Sequence, residues 1–467
     1  MFWNFIKSGM LRHPDSRISE GERSCTFAGA AAEAERLAAS LLPGKYAVRC
    51  ASEYNAGLSL LACLAAGVTA IPLSERYGDV HCERILNLTA PDCILTDSGG
   101  QIRVLPYGRQ TVRATAAPDA YPALIMCTSG TTGAPKGAMI SAENLMANLR
   151  DIDRYFDLRC TDRILISRPL YHCAVLTGEF LISLLRGTNI RFYSEAFNPA
   201  ALLEEIVREK ITALCGTPTL FSLLSRLARR MPDSLSLRLL VSSGECMTRE
   251  TAAAIRQAFP DTRVMNVYGL TEASPRVAYL PPELFDAHPE AVGYPLHSLR
   301  ARVVDAAGAE VPRGTDGELL ISGPSVMQGY YRAPEATEKA LRGGWLHTGD
   351  MAAMDDEGRI TIKCRKDNMI ILAGMNIYPQ EIESALRADE NIEDVLAFGA
   401  RDADGRQYIG VRVVAPGLDR EGVAEICRRR LPAYERPSVI EFADSLPKNA
   451  SGKLIRPKDK GAGYGET

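Results

Sequence analysis

The sequence predicts an α/β protein: a large N-terminal domain of αβ-layered subdomains with a β-rich lobe, then a small α+β C-terminal domain. Three observations carry this. Short β-forming runs such as Arg163–Ile166, Ala213–Cys215 and Leu239–Val241 alternate with stretches of helical period, the pattern of βαβ units and a mostly parallel sheet. Beyond about Leu296 the period shortens to every second residue in Ala301–Asp305 and Glu318–Ser322, with Gly-Asp turns between them. After Asp350, two hairpin-like strands flank Asp356-Glu-Gly358, and a helix over Pro379–Leu386 opens a compact tail.

In chain order, the Ala/Leu/Glu-rich stretch Thr26–Leu42 reads as a helix ended by Pro43-Gly44. Tyr46–Cys50, Val68–Pro72 and Cys93–Asp97 read as strands around helices Ala56–Ala66 and Val80–Leu88. The alternation continues with helix Ala142–Tyr155, strand Arg163–Ile166, helix Gly178–Leu185, strand Asn189–Tyr193, helix Pro199–Lys210 and helix Leu220–Arg229. The domain boundary falls at Lys366-Asp367, giving domains 1–366 and 367–467.

A 467-residue chain that is 46% apolar and 24% charged can bury a sizeable core. A net charge of −3 carries no basic footprint for nucleic acid. Twelve cysteines form no C-x-x-C pair and six histidines no cluster, which fits reduced thiols in a cytoplasm rather than zinc or disulfides. Asn4, Lys7 and Arg12 interrupt the apolar N-terminus, so it does not read as a signal peptide, and no run reaches membrane-spanning length.

The most informative stretch is Cys127–Ile140, CTSGTTGAPKGAMI, preceded by the apolar run Ala123–Met126 and followed by a helical pattern from Ser141. A strand feeding a Gly/Thr-rich loop lets backbone N–H groups and hydroxyls close on phosphate oxygens. Lys136 adds a mobile positive charge, although the spacing is not that of a Walker loop. In Asn266-Val-Tyr-Gly-Leu-Thr-Glu272, a glycine turn leads to a hydroxyl and a carboxylate, and a glutamate near a phosphate loop suits Mg²⁺. His347-Thr-Gly-Asp350 offers an aspartate after a tight turn, suited to ribose hydroxyls. Arg365-Lys-Asp-Asn368 and Leu372–Pro379 follow, and Pro447–Lys453 ends on an isolated lysine. Each alone could be a surface turn. All five in this order are not a coincidence.

Together these motifs resemble the adenylate-forming superfamily of acyl- and aryl-CoA ligases, peptide-synthetase adenylation domains and luciferase, over essentially the whole chain. The resemblance implies a large N-terminal domain that binds ATP and acid, a hinge, and a mobile C-terminal domain. It implies that Thr128, Ser129, Gly130, Thr131, Thr132, Gly133 and Lys136 clasp phosphate, and that Gly244, Glu245 and Cys246 lie against adenine and substrate. Asn266, Tyr268 and Gly269 would neighbour adenine and the pocket, Thr271 would contact the α-phosphate, and Glu272 would hold Mg²⁺. Asp350 and Arg365 would bind ribose, Asp367 would be the hinge, Lys453 the catalytic lysine, and Gly374 the point where a pantetheine arm passes.

The implied chemistry is attack of a carboxylate on the α-phosphorus of ATP, loss of pyrophosphate, then attack of a thiol on the acyl-adenylate. Arg168–Gly178 matches the family's pocket motif, and His172 takes the slot between carboxylate and pocket. Cys173 stands where amino-acid-activating relatives carry an aspartate, so a substrate ammonium would be left unpaired. Gly216 belongs to the same pocket. Cys364 and Ala373 depart from glycines frequent in the family, which leaves the thiol open between CoA and the phosphopantetheine of an acyl carrier protein. Intact Lys136, Glu272, Asp350 and Lys453 argue against a non-catalytic nucleotide binder.

Overall fold

The computed structural model describes residues 1–74, 78–107, 122–129, 135–195, 197–228, 235–372, 375–401 and 407–447. The chain divides into two compact units, Met1–Arg302 with Leu320–Thr348 and Glu357–Ile360, and Val303–Leu319 with Gly349–Asp356 and Thr361–Thr467.

The first unit contains two sheets. One runs through Ala291–Pro295, Arg276–Leu280, Arg263–Gly269, Leu239–Ser242, Ala213–Gly216, Arg163–Ile166, Asn189–Phe192, Arg17–Glu20 and Arg23–Thr26. From Arg263–Gly269 across to Arg17–Glu20 every pairing is parallel. The other sheet runs Gly329–Tyr330, Pro135–Ile140, Leu124–Ser129, Thr69–Pro72, Lys45–Val48, Cys93–Ser98 and Gln101–Pro106.

Alternation along these strands sorts the core into layers. Leu239 and Val241, Ile164 and Ile166, and Tyr46 and Val48 belong to one large cluster shared by the facing sides of both sheets and by helices Phe2–Arg12, Phe27–Ala38 and Glu53–Ala66. Their intervening neighbours point outward. Leu165, Leu214 and Leu240 pack with helices Pro199–Arg208, Pro218–Ala228 and Arg249–Ala258, while Ala47, Ile71 and Ile125 pack with Ile85 and Leu86. The αβ-layered reading therefore holds. The every-second-residue pattern past Leu296 is realised in strands Arg300–Val304, Gly317–Ser322, Trp345–Met354 and Ile360–Arg365.

The second unit holds a sheet of Asp394–Arg401, Gln407–Val414 and Val439–Phe442, antiparallel then parallel. Helices Pro379–Arg387 and Arg420–Arg430 share its core through Ile382, Leu386, Val423 and Ile426 against Val395, Val411 and Val413.

Some elements differ from expectation. Pro135–Ile140 is a strand rather than loop, with Pro135 at its first residue where a missing N–H is tolerated. The helix expected at Gly178–Leu185 begins at Cys173, and its Leu176–Leu181 segment is a π-helix, a form common at functional sites. Helices Phe2–Arg12 and Arg249–Ala258 are additional to the elements the sequence predicts. No helix among the described residues is long and apolar enough to cross a membrane.

Candidate active site

Ligand crevices in open α/β sheets lie beyond the carboxyl ends of parallel strands. Gly216, Ser242 and Asn266 are register partners at those ends, and Ser243 N–H donates to Gly216 O at 2.9 Å. The three segments expected to border adenine and the acid therefore open from adjacent strands. Asn266 is buried and its Nδ2 donates to Pro289 O and Ala291 O at 3.2 and 2.9 Å, while its Oδ1 has no partner. Glu245 accepts from the Thr219 hydroxyl at 2.7 Å and the Thr219 N–H at 3.2 Å, at the start of helix Pro218–Ala228. Gly244 is exposed, and Cys246 and Tyr268 are half-buried.

Beyond Tyr268 the strand turns sharply. A Cβ on Gly269 would lie 2.3 Å from Pro275 O, so only glycine allows this approach. Thr271–Ala273 forms a single 3₁₀ turn. The buried Asn148, on helix Ala142–Tyr155, clamps it from below. Its Nδ2 donates to Ala273 O and Arg276 O at 3.3 and 2.8 Å, and its Oδ1 accepts from Arg276 N–H at 3.2 Å. Met327 N–H donates to Glu272 O at 2.8 Å. This loop is held from two sides, so Thr271 and Glu272 are positioned by backbone rather than by chance.

The Gly/Thr-rich loop connects the antiparallel strands Leu124–Ser129 and Pro135–Ile140, with Thr128 opposite Lys136. Gly130, Thr131, Thr132 and Gly133 lie outside the described residues, as do Gly374 and Lys453, and only the backbone of Ser129 is described. The outer strand pairs Ala138 with Tyr330. Tyr330 ties the two motifs together: Lys136 Nζ lies 5.2 Å from its ring centroid, and its hydroxyl donates to Glu272 Oε1 at 2.8 Å. One ring face thus carries the expected phosphate-binding cation, and its hydroxyl orients the expected metal-binding carboxylate. Tyr330 was not among the sequence candidates. It lies on a two-residue strand, too short for alternation to register.

In the pocket motif, the His172 ring packs tilted against Tyr171, centroids 3.9 Å apart, and its Nε2 is 2.5 Å from the Tyr171 hydroxyl. Burial, with Arg168 nearby, pushes the imidazole pKa down to about 3, so the ring is neutral. The unfolded chain takes up this proton near the ordinary histidine value of about 6.5. Stability contributed by the neutral ring is thus expected to fall as pH drops from there toward the native value. His172→Gln should flatten that dependence in thermal unfolding between roughly pH 7 and 5. Identical slopes for both proteins would contradict it. Burial pushes the Cys173 thiol up to about 12, leaving it uncharged. Gly216 has no room for a side chain, since a Cβ there would lie 2.8 Å from Leu220.

In the second unit, Arg365 Nη1 meets Asp350 Oδ1 at 3.2 Å, with Asp350 nearly buried. Gly349 turns with φ +69°, and a Cβ there would lie 3.0 Å from Arg365 Nη2. The expected ribose-binding pair is therefore one local cluster. Asp367 is exposed on the 3₁₀ turn Lys366–Asn368, whose Lys366 reaches Glu318 at 2.8 Å. Cys364 faces inward, packed with Met351 and Tyr378.

The AMP-binding enzyme model matches residues 9–331, and the AMP-binding enzyme C-terminal domain model matches residues 381–453. The chain belongs to the AMP-binding enzyme family. That makes it a member of the adenylate-forming superfamily. Among members, it is 32% identical over 489 residues to a feruloyl-CoA synthase of Amycolatopsis sp, with 97% of each chain covered. It is 36% identical over 358 residues to a long-chain-fatty-acid–CoA ligase of Escherichia coli O6:H1, spanning 75% of this chain but 63% of that protein. O-succinylbenzoate coenzyme A synthetase from Bacillus subtilis, solved with ATP and magnesium, superposes with a TM-score of 0.84 at 26% identity, covering 97% of this chain and 98% of that one.

Proposed function

We propose that the chain is an ATP-dependent carboxylic acid–thiol ligase that forms an acyl- or aryl-adenylate and transfers the acyl group to CoA. The observation that carries this reading is the Lys136–Tyr330–Glu272 bridge, which joins a phosphate-type loop to a carboxylate through one side chain. In the first half-reaction a carboxylate oxygen attacks the α-phosphorus and pyrophosphate leaves. In the second, the sulfur of the thiol attacks the acyl carbon and AMP leaves.

Negative charge gathers at phosphorus, so Lys136, Thr271 and Lys453 act electrostatically. Glu272, whose Oε1 accepts from the Tyr330 hydroxyl, would hold Mg²⁺, a hard cation that takes carboxylate oxygen. When bound, the ion supplies Lewis-acid screening of the phosphates. The Asp350–Arg365 cluster would bind ribose, and Gly244–Cys246 with Asn266–Gly269 would border adenine. We assign residues 1–366 to the ATP- and acid-binding domain and residues 367–467 to a mobile domain hinged at Asp367, which presents Lys453 for adenylation and Gly374 for thiolysis. The twelve free thiols support a reducing compartment such as the cytoplasm.

The uncharged Cys173 supports an acid without an α-ammonium group. The names of the relatives support CoA as acceptor. Offering CoA and a holo-carrier protein together to the enzyme with ATP and acid tests this: thioester should form on CoA. Acylation of the carrier alone would instead make the enzyme a stand-alone loading enzyme.

A further inference from the structure

Arg276 is a buried cation of the first unit that the chemistry above does not use. It is 2% exposed, and its Nε and Nη2 have no hydrogen-bond partner. Its backbone is fixed by Asn148, so the side chain leaves from a defined point. The guanidinium lies against Gly178: a Cβ there would be 2.9 Å from Nη2, 3.0 Å from Nε and 3.1 Å from Cζ. Gly178 sits in the π-helix Leu176–Leu181, at the end of the pocket motif.

Among the described residues no carboxylate forms an ion pair with Arg276. Glu179, fully buried, accepts at Oε1 from Arg168 Nη2 at 2.6 Å. Its Oε2 and Arg168 Nε are also without partners. Arg276 Nε and Nη2 thus remain buried donors without an acceptor, an arrangement that is costly unless a ligand supplies one. Gly178 closes the pocket motif that includes Cys173, which puts the guanidinium beside the expected acid pocket. Glu272 itself is engaged by Tyr330.

We propose that Arg276 determines acid specificity and that the substrate is a dicarboxylic acid, one carboxylate reacting with ATP and the other taken up by the Arg276 guanidinium. This rests on the adenylation reading. A guanidinium binds a carboxylate by paired N–H donors, and Nε with Nη2 present such an edge. The monomethyl ester of the same diacid keeps its size but loses the second charge, so it separates charge recognition from pocket shape.

The test compares straight-chain dicarboxylic acids with their monomethyl esters in a pyrophosphate-release assay, for the native protein and for Arg276→Met and Arg276→Lys. The native enzyme is expected to favour the best diacid over its ester by ~100-fold in kcat/KM. R276M should lose that preference through KM, and R276K should keep part of it. Gly178→Ala, which pushes on the guanidinium without removing it, should raise KM for the diacid more than for the ester. This variant keeps the question open to experiment if R276M does not fold. Equal activity on diacid and ester by the native enzyme, or equal loss of both in R276M, overturns the proposal. If no acid is activated, the ligase reading fails. Calorimetric titration of the same diacid into the ATP-saturated protein then still decides: binding lost in R276M upholds the role of Arg276, and unchanged binding overturns it.

Discussion

Glu272→Gln is expected to lower the rate of adenylate formation by ~10²–10³-fold, the usual loss when one preorganised electrostatic group is removed from a phosphoryl or acyl transfer. The substitution keeps the shape of the side chain and the acceptor for the Tyr330 hydroxyl, so folding should be little changed. The defect should appear with a higher half-saturating magnesium concentration, since a neutral amide oxygen is a weaker ligand for a hard cation than a carboxylate. Single-turnover pyrophosphate release at several magnesium concentrations checks this. A normal rate with a normal magnesium requirement would remove Glu272 from the metal-binding role.

Lys453→Ala should have an effect at least as large, ~10³-fold or more on adenylation, with ATP affinity nearly unchanged, because the lysine is assigned to charge that develops at the α-phosphorus rather than to ground-state binding. Thioester formation from a preformed acyl-adenylate should survive the same change. That split distinguishes a lysine used in one half-reaction from one needed for the fold. Equal losses of rate and ATP affinity would make it a binding group only.

What could be read from the sequence was what local physics dictates. Parallel strands buried on both faces are apolar runs, so Arg163–Ile166, Ala213–Gly216 and Leu239–Ser242 announce themselves, as do helices with clear caps such as Ala142–Tyr155, opened by the Ser141–Asn144 capping box. Motif order then located the polar segments beyond those strand ends. Illegible were the partners that distant segments supply. Tyr330 is 58 residues from the carboxylate it orients, and Asn148 is 128 residues from the backbone of Arg276. Neither separation leaves a periodic trace. Pro135–Ile140 lies within the Gly/Thr-rich stretch and holds proline, lysine and glycine, poor strand formers, yet its neighbours on both sides supply ladder partners. Arg276 belongs to none of the sequence motifs; burial alone makes its charge informative.

The most direct test is acid-dependent exchange of labelled pyrophosphate into ATP, run over a panel of carboxylic acids without any thiol present. Reversible formation of an acyl-adenylate predicts exchange that requires both the acid and magnesium. ATP turnover that is indifferent to acid, or absence of exchange with every acid that binds the protein, would contradict it.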